Sequence, residues 1–105
     1  MSGKSAKYTV GQLVHNTLLG YRGVVVDVDA HFRVGRAMNA PETRGGVSSC
    51  PWYHVLVDGS ADLSYVSERN LEPDAEGGPI RHPDVDKYFE RLNAGGYVPR
   101  RGQVN

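Results

Sequence analysis

Residues 21–29 carry the clearest strand pattern in the chain. Successive side chains of a β-strand point to opposite faces, so this segment divides into two sets of residues. We expect the first set to lie in the core: Val24, Val26 and Val28. The second set, on the opposite face, is Val25, Asp27 and Asp29.

Four further segments have the lengths and bounding turns of short strands. Apolar and polar residues alternate briefly over residues 12–16, and residues 52–58 have the pattern of a second clear strand. The Asp-Gly-Ser turn that follows folds the chain back into residues 63–67, and Leu71 begins a last short strand. This pattern predicts a mainly β protein, a small SH3-like five-stranded β-barrel.

An apolar stripe near the C-terminus has helical spacing. Its members fall at i, i+3, i+4 and i+7: Val85, Tyr88, Phe89 and Leu92. Pro83 suits the first turn of a helix, and the glycine pair at 95–96 suits its end. We therefore predict an appended C-terminal α-helix over residues 83–95.

The length of 105 residues fits one compact domain. We predict a flexible N-terminal tail over 1–7, a β-barrel over 8–73, a glycine-rich linker over 74–82, the helix over 83–95 and a tail over 96–105.

The charge and cysteine content of the chain limit the classes of function that it can have. Lys+Arg and Asp+Glu both number 12, so the chain lacks the global positive field of a nonspecific DNA binder. Cys50 is the sole cysteine, which excludes an intramolecular disulfide and a multi-cysteine zinc site. With no apolar signal core or membrane-length apolar run, we expect a cytoplasmic protein with no membrane partner.

Residues 31–50 have no strand or helix periodicity and contain the best nucleic-acid signal. Arg33, Arg36 and Arg44 lie there with Phe32, and guanidinium groups and a stackable ring suit phosphate and base contacts. With Arg22, these three arginines are the candidate nucleic-acid-binding residues. A solvated loop on a neutral protein is the alternative interpretation.

A second apolar face is the best protein-interaction signal. If Tyr53, Val55 and Val57 join the core valines, other apolar side chains lie on the opposite side of the sheet. The candidate interface residues are Val25, Trp52, His54, Leu56, Val85, Phe89 and Leu92. This face either binds a partner or is covered by the C-terminal helix, and the sequence leaves both alternatives open.

The spacing of the histidines and the residues around Cys50 do not indicate a catalytic or metal site. The four histidines lie on separate elements, and no base pattern flanks Cys50. Asp27 and Asp29 share a strand face and suit acid-base or cation chemistry, so a hydrolase built on them and His54 is a third hypothesis. We expect no enzyme activity, no cofactor and no metal site.

Three segments resemble the HspQ family, also called the YccV-like hemimethylated DNA-binding family. They are GQLVH at 11–15, LGYRGVVVDVD at 19–29 and PWYHVLV at 51–57, and YVSERNL at 65–71 is similar to the closing strand of that family. The segment 31–50 and the chain after Pro73 do not match residue by residue.

The resemblance implies an SH3-like barrel, a homo-oligomer, binding to hemimethylated DNA, and assistance to the Lon protease in degrading certain proteins. Our leading hypothesis is a non-enzymatic stress protein that acts as an adaptor for Lon and its substrates. The alternative is a DNA-binding regulator that recognises hemimethylated duplexes.

Overall fold

The computed structural model describes residues 6–30 and 50–100, which form a mainly β structure. Five antiparallel strands make one sheet in the order β4-β3-β2-β1-β5. They are β1 (Leu13–Asn16), β2 (Arg22–Asp29), β3 (Trp52–Val57), β4 (Leu63–Ser67) and β5 (Leu71–Pro73). The mainly β prediction is confirmed.

The described strands form an open sheet and do not close into the predicted SH3-like β-barrel. A single 3₁₀ turn, Glu68–Asn70, separates β4 from β5, and β5 pairs with β1 on the far side of the sheet. β5 has three residues and ends at Pro73, which has no N–H to donate to another strand. The described strands therefore leave β4 and β5 as two edges.

The sheet curves around an inner core to which every strand contributes. This core contains Tyr8, Val14, Val25, Tyr53, Val55, Val66 and Leu71. Val66 and Leu71 lie on the two edge strands, which would be about 19 Å apart in a flat five-stranded sheet. Their presence in one cluster shows that the sheet is strongly curved.

Tyr8 covers this inner core from the N-terminal side. Its hydroxyl donates to the Leu71 carbonyl at 3.0 Å, and its N–H donates to the Tyr53 hydroxyl at 3.2 Å. Burial raises the pKa of both tyrosines, so both phenols remain protonated at neutral pH. Tyr8 is thus packed against the sheet.

A β-bulge in β2 changes the predicted distribution of the valines. Val25 pairs with Val55, but the next pair is Asp27 with His54, so Val26 is the extra residue. Val24 and Val26 consequently share the outer face, whereas Val28 packs with Val25 against the inner core. The prediction that all three valines share one face is wrong for Val28.

The predicted helix over 83–95 is also wrong. The segment contains one helical turn, α1 (Val85–Tyr88), followed by a hairpin of β6 (Phe89–Asn93) and β7 (Gly96–Pro99). A bulge between Phe89 and Arg91 inserts one residue into β6, so Phe89 and Leu92 reach the same cluster although they are three residues apart. That spacing imitates a helical stripe.

This C-terminal hairpin covers the outer face of the sheet. The outer core contains Val24, Leu56, Ile80, Phe89 and Tyr97. Residues 74–82, predicted as a linker, take part in the packing, because Ile80 is buried and its N–H donates to the Tyr97 hydroxyl at 2.9 Å. Across residues 6–30 and 50–100, no helix is long and apolar enough to cross a membrane.

Gly11 is the point at which the hairpin meets the sheet. Its N–H donates to the Val25 carbonyl at 2.8 Å, and its carbonyl accepts from the Tyr97 N–H at 2.8 Å. Its φ is +95°, and a Cβ atom there would lie 2.2 Å from the Tyr97 carbonyl oxygen. Only glycine permits this approach.

We expect Gly11→Ala to lower the free energy of unfolding by roughly 3 kcal/mol or more, because backbone strain and a displaced Tyr97 hydrogen bond add together. Gly59→Ala is the matched control: Gly59 has φ +83° but nothing within 4 Å of its Cβ position. We expect Gly59→Ala to lower the free energy of unfolding by about 1–2 kcal/mol. If urea denaturation gives the same loss of unfolding free energy for Gly11→Ala and Gly59→Ala, the close approach of Gly11 to the Tyr97 carbonyl is contradicted.

Candidate functional site

Polar and aromatic side chains share one end of the outer sheet face. Asp27 on β2 pairs with His54 on β3, which pairs with Tyr65 on β4. In the adjacent row, Asp29 pairs with Trp52. We call Asp27, Asp29, His54 and Tyr65 the polar cluster.

The polar cluster is held by short contacts to Asp29. The Tyr65 hydroxyl donates to Asp29 Oδ2 at 2.7 Å, and His54 Nε2 lies 3.3 Å from the same oxygen. The His54 and Tyr65 rings have centroids 4.6 Å apart. Asp29 is 8% exposed and the His54 side chain 12% exposed, whereas Asp27 is at the surface.

The local sequence explains how the polar cluster forms. The bulge at Val26 sets Asp27 opposite His54, and the two-residue period of β2 then brings Asp29 to the same face. Asp29 lies two residues before segment 31–49, and Cys50 follows that segment directly. The arginine-bearing segment is therefore adjacent in sequence to Asp29 of the polar cluster.

Three members of the polar cluster have the chemistry of cation ligands. Carboxylate oxygens of Asp27 and Asp29 and a ring nitrogen of His54 lie within 4.8 Å of one another. The sequence analysis grouped these residues but missed Tyr65, which cross-strand pairing with His54 identifies. Oxygen and imidazole ligands in such proximity suit a metal ion as well as acid-base chemistry.

The candidate interface residues divide between the two faces. Val25 belongs to the inner core, whereas Leu56 and Phe89 are buried together in the outer core, with Val85 and Leu92 packed against it. The C-terminal segment thus covers the Leu56 end of the outer face, but as a hairpin instead of a helix. Trp52 is buried beside Tyr65, with ring centroids 5.2 Å apart.

Of the four candidate nucleic-acid residues, the structure describes only Arg22. Arg33, Arg36 and Arg44 lie outside the described residues. The Arg22 side chain is 17% exposed, and its guanidinium donates to Asp74 Oδ2 at 3.0 and 3.2 Å and to Asp58 Oδ2 at 3.4 Å. The Gly78 and Pro79 carbonyls accept further bonds at 3.0 and 3.3 Å.

Arg22 therefore fastens residues 74–79 to the sheet. The hydrogen bond to Asp74 raises the pKa of Arg22 despite the opposing effect of burial. Burial by itself would raise the pKa of Asp74, but bonds from Arg22 and from the Gly77 N–H, at 2.9 Å, lower it overall. Binding of Arg22 to DNA stays a prediction, and its observed contacts are all internal.

Charge is divided unequally between the described fold and the remaining residues. Residues 6–30 and 50–100 contain seven Lys/Arg and eleven Asp/Glu, a formal charge of −4. The remaining residues contain five Lys/Arg and one Glu, a formal charge of +4. Three of those five basic residues are Arg33, Arg36 and Arg44.

We expect Asp74→Asn to lower the free energy of unfolding by about 2–4 kcal/mol at pH 7, because it removes the main partner of a largely buried guanidinium. The pKa of Asp74 is lower in the folded state, so its stabilisation is present above its unfolded pKa. That stabilisation is lost as the pH falls through the folded pKa. The difference between wild type and variant should therefore shrink below about pH 4.

Glu76→Gln is the control, since the Glu76 side chain is 75% exposed and its oxygen lies 3.7 Å from Arg22. We expect a change below about 0.5 kcal/mol. Urea denaturation between pH 3 and 7 provides the measurement. A loss for Asp74→Asn that is independent of pH would contradict this account of the pair.

A comparison with known families agrees with the resemblance in the strand sequences. Residues 6–96 match the family described as "Hemimethylated DNA-binding protein YccV like". The match runs from the start of the described fold through the hairpin turn, and so includes the inner core, the polar cluster and every outer-core residue except Tyr97. The chain belongs to the YccV-like hemimethylated DNA-binding family.

Proposed function

We propose that this protein is a non-enzymatic, cytoplasmic DNA-binding regulator that recognises hemimethylated duplex DNA through Arg33, Arg36 and Arg44. Membership of the YccV-like hemimethylated DNA-binding family is the observation that carries the proposal. The protein needs no cofactor for this role, because recognition of a duplex is a binding function.

The charge distribution supports the choice of these three arginines. A scaffold with a formal charge of −4 repels a phosphate backbone, and the Arg22 guanidinium is engaged by Asp74 and Asp58. Affinity for DNA depends chiefly on Lys and Arg side chains that displace counterions from phosphates. We therefore assign these contacts to the arginines of segment 31–49, which lies in the part of the chain with a formal charge of +4.

We expect Arg33→Ala and Arg36→Ala each to weaken binding to a hemimethylated duplex and to lower the slope of log K against log salt by about 0.9 per phosphate contact removed. Fluorescence anisotropy against unmethylated, hemimethylated and fully methylated duplexes, at several salt concentrations, provides the measurement.

Arg91→Ala is the matched control for these variants. Its side chain is 64% exposed on β6 and contacts Glu90 at 3.0 Å, so the substitution removes the same charge elsewhere. We expect affinity and salt slope to remain close to those of wild type. Equal affinity for all three duplexes, or an equal effect of Arg91→Ala, would contradict the proposal.

The acidic scaffold favours a second candidate function, an adaptor in Lon-dependent degradation of certain proteins. An acidic body is better suited to basic protein surfaces than to nucleic acid. This role also includes the expected homo-oligomer, although Leu56 and Phe89 are already buried inside the chain. An oligomer must then use other surfaces, such as the edges of the open sheet.

The adaptor hypothesis predicts that the purified protein accelerates degradation of a subset of lysate proteins by purified Lon several-fold. Quantitative mass spectrometry over time measures the rates, and light scattering on the same sample measures the subunit number. Degradation rates that are the same with and without the protein would contradict this candidate function.

A further inference from the structure

We infer that Asp27, Asp29 and His54 form a binding site for a divalent first-row transition-metal ion. The site lies at the end of the outer sheet face, where the three ligand atoms are within 4.8 Å of one another. Two carboxylate oxygens and one imidazole nitrogen suit ions such as Zn²⁺, which keeps an open position when three protein ligands bind it.

The separation between the His54 and Asp29 ligand atoms matches the size of such an ion. Zn²⁺ binds imidazole nitrogen and carboxylate oxygen at about 2.0–2.2 Å, so two tetrahedral ligands lie about 3.3–3.6 Å apart. His54 Nε2 and Asp29 Oδ2 are 3.3 Å apart.

Asp27 completes the set from the neighbouring position on β2. Its side chain is at the surface, where Oδ1 accepts from the Val28 N–H at 2.9 Å, and one of its carboxylate oxygens lies within 4.8 Å of the ligand atoms of Asp29 and His54. A divalent cation between the two carboxylates is attracted to both of them.

Tyr65 supplies the outer support that metal ligands need. Its hydroxyl donates to Asp29 Oδ2 at 2.7 Å, and its ring packs beside His54 at 4.6 Å, so it orients two of the three ligands. Within residues 6–30 and 50–100, the exposed pair of His15 and Glu72, 2.9 Å apart, belongs to no group of three such ligands. That pair provides an internal comparison.

The test uses the full untagged chain, freed of metal with chelator and titrated with ZnCl₂ by calorimetry. We expect one Zn²⁺ per chain for wild type and at least a tenfold loss of affinity for Asp27→Asn and for His54→Gln. Tyr65→Phe should weaken binding about 10- to 100-fold, as the loss of an outer-shell partner does. His15→Gln should bind like wild type.

Two further measurements keep the test decisive. Circular dichroism identifies variants that fail to fold, and Asp27→Asn at a surface position guards against that failure. In NMR spectra of wild type, Zn²⁺ should shift the His54 ring signals and leave those of His15 unchanged. Absence of saturable binding, or equal binding by Asp27→Asn and wild type with no shift at His54, would overturn the proposal.

Discussion

Burial of the β2–β3 pair on both faces is the constraint on which the rest of the structure depends. Val25 and Val55 face the inner core, while Val24 and Leu56 face the outer core. A sheet that is buried on both faces needs other residues packed against each face. The inner face is buried because the sheet curves and its own strands pack around the inner core. The outer side requires the C-terminal segment, which explains why residues after the last strand of the sheet are part of the fold.

The hairpin is attached to the sheet through backbone contacts as well as apolar packing. Gly11 accepts from Tyr97 and donates to Val25, so one residue links the hairpin to β2. Arg22 performs a similar role at the other side by holding residues 74–79 with its guanidinium. Arg22, a candidate DNA-binding residue in the sequence analysis, thus holds the connecting segment 74–79 against the sheet.

The bulge in β2 divides the outer face into two chemically different ends. Before the bulge, Val24 and Leu56 lie under the hairpin; after it, Asp27 and His54 face each other in the polar cluster. In the sequence, the arginine segment begins two residues after Asp29 of the polar cluster.

The sequence by itself determined the β class, the extents of β2 to β4 and the family, because strand alternation and turn residues are local signals. It also identified Asp27, Asp29 and His54 as a chemical group. Only the tertiary structure decided the face of Val28, the contacts of Arg22, the inclusion of Tyr65 and the hairpin at Phe89. Bulges caused two of these differences. The extra residue in β2 reverses the alternation of faces and so moves Val28 to the inner face, and the extra residue in β6 gives Phe89 and Leu92 a helical spacing. Long-range pairing caused the others, because the partners of Arg22 and Tyr65 are distant in the chain and no local pattern specifies them.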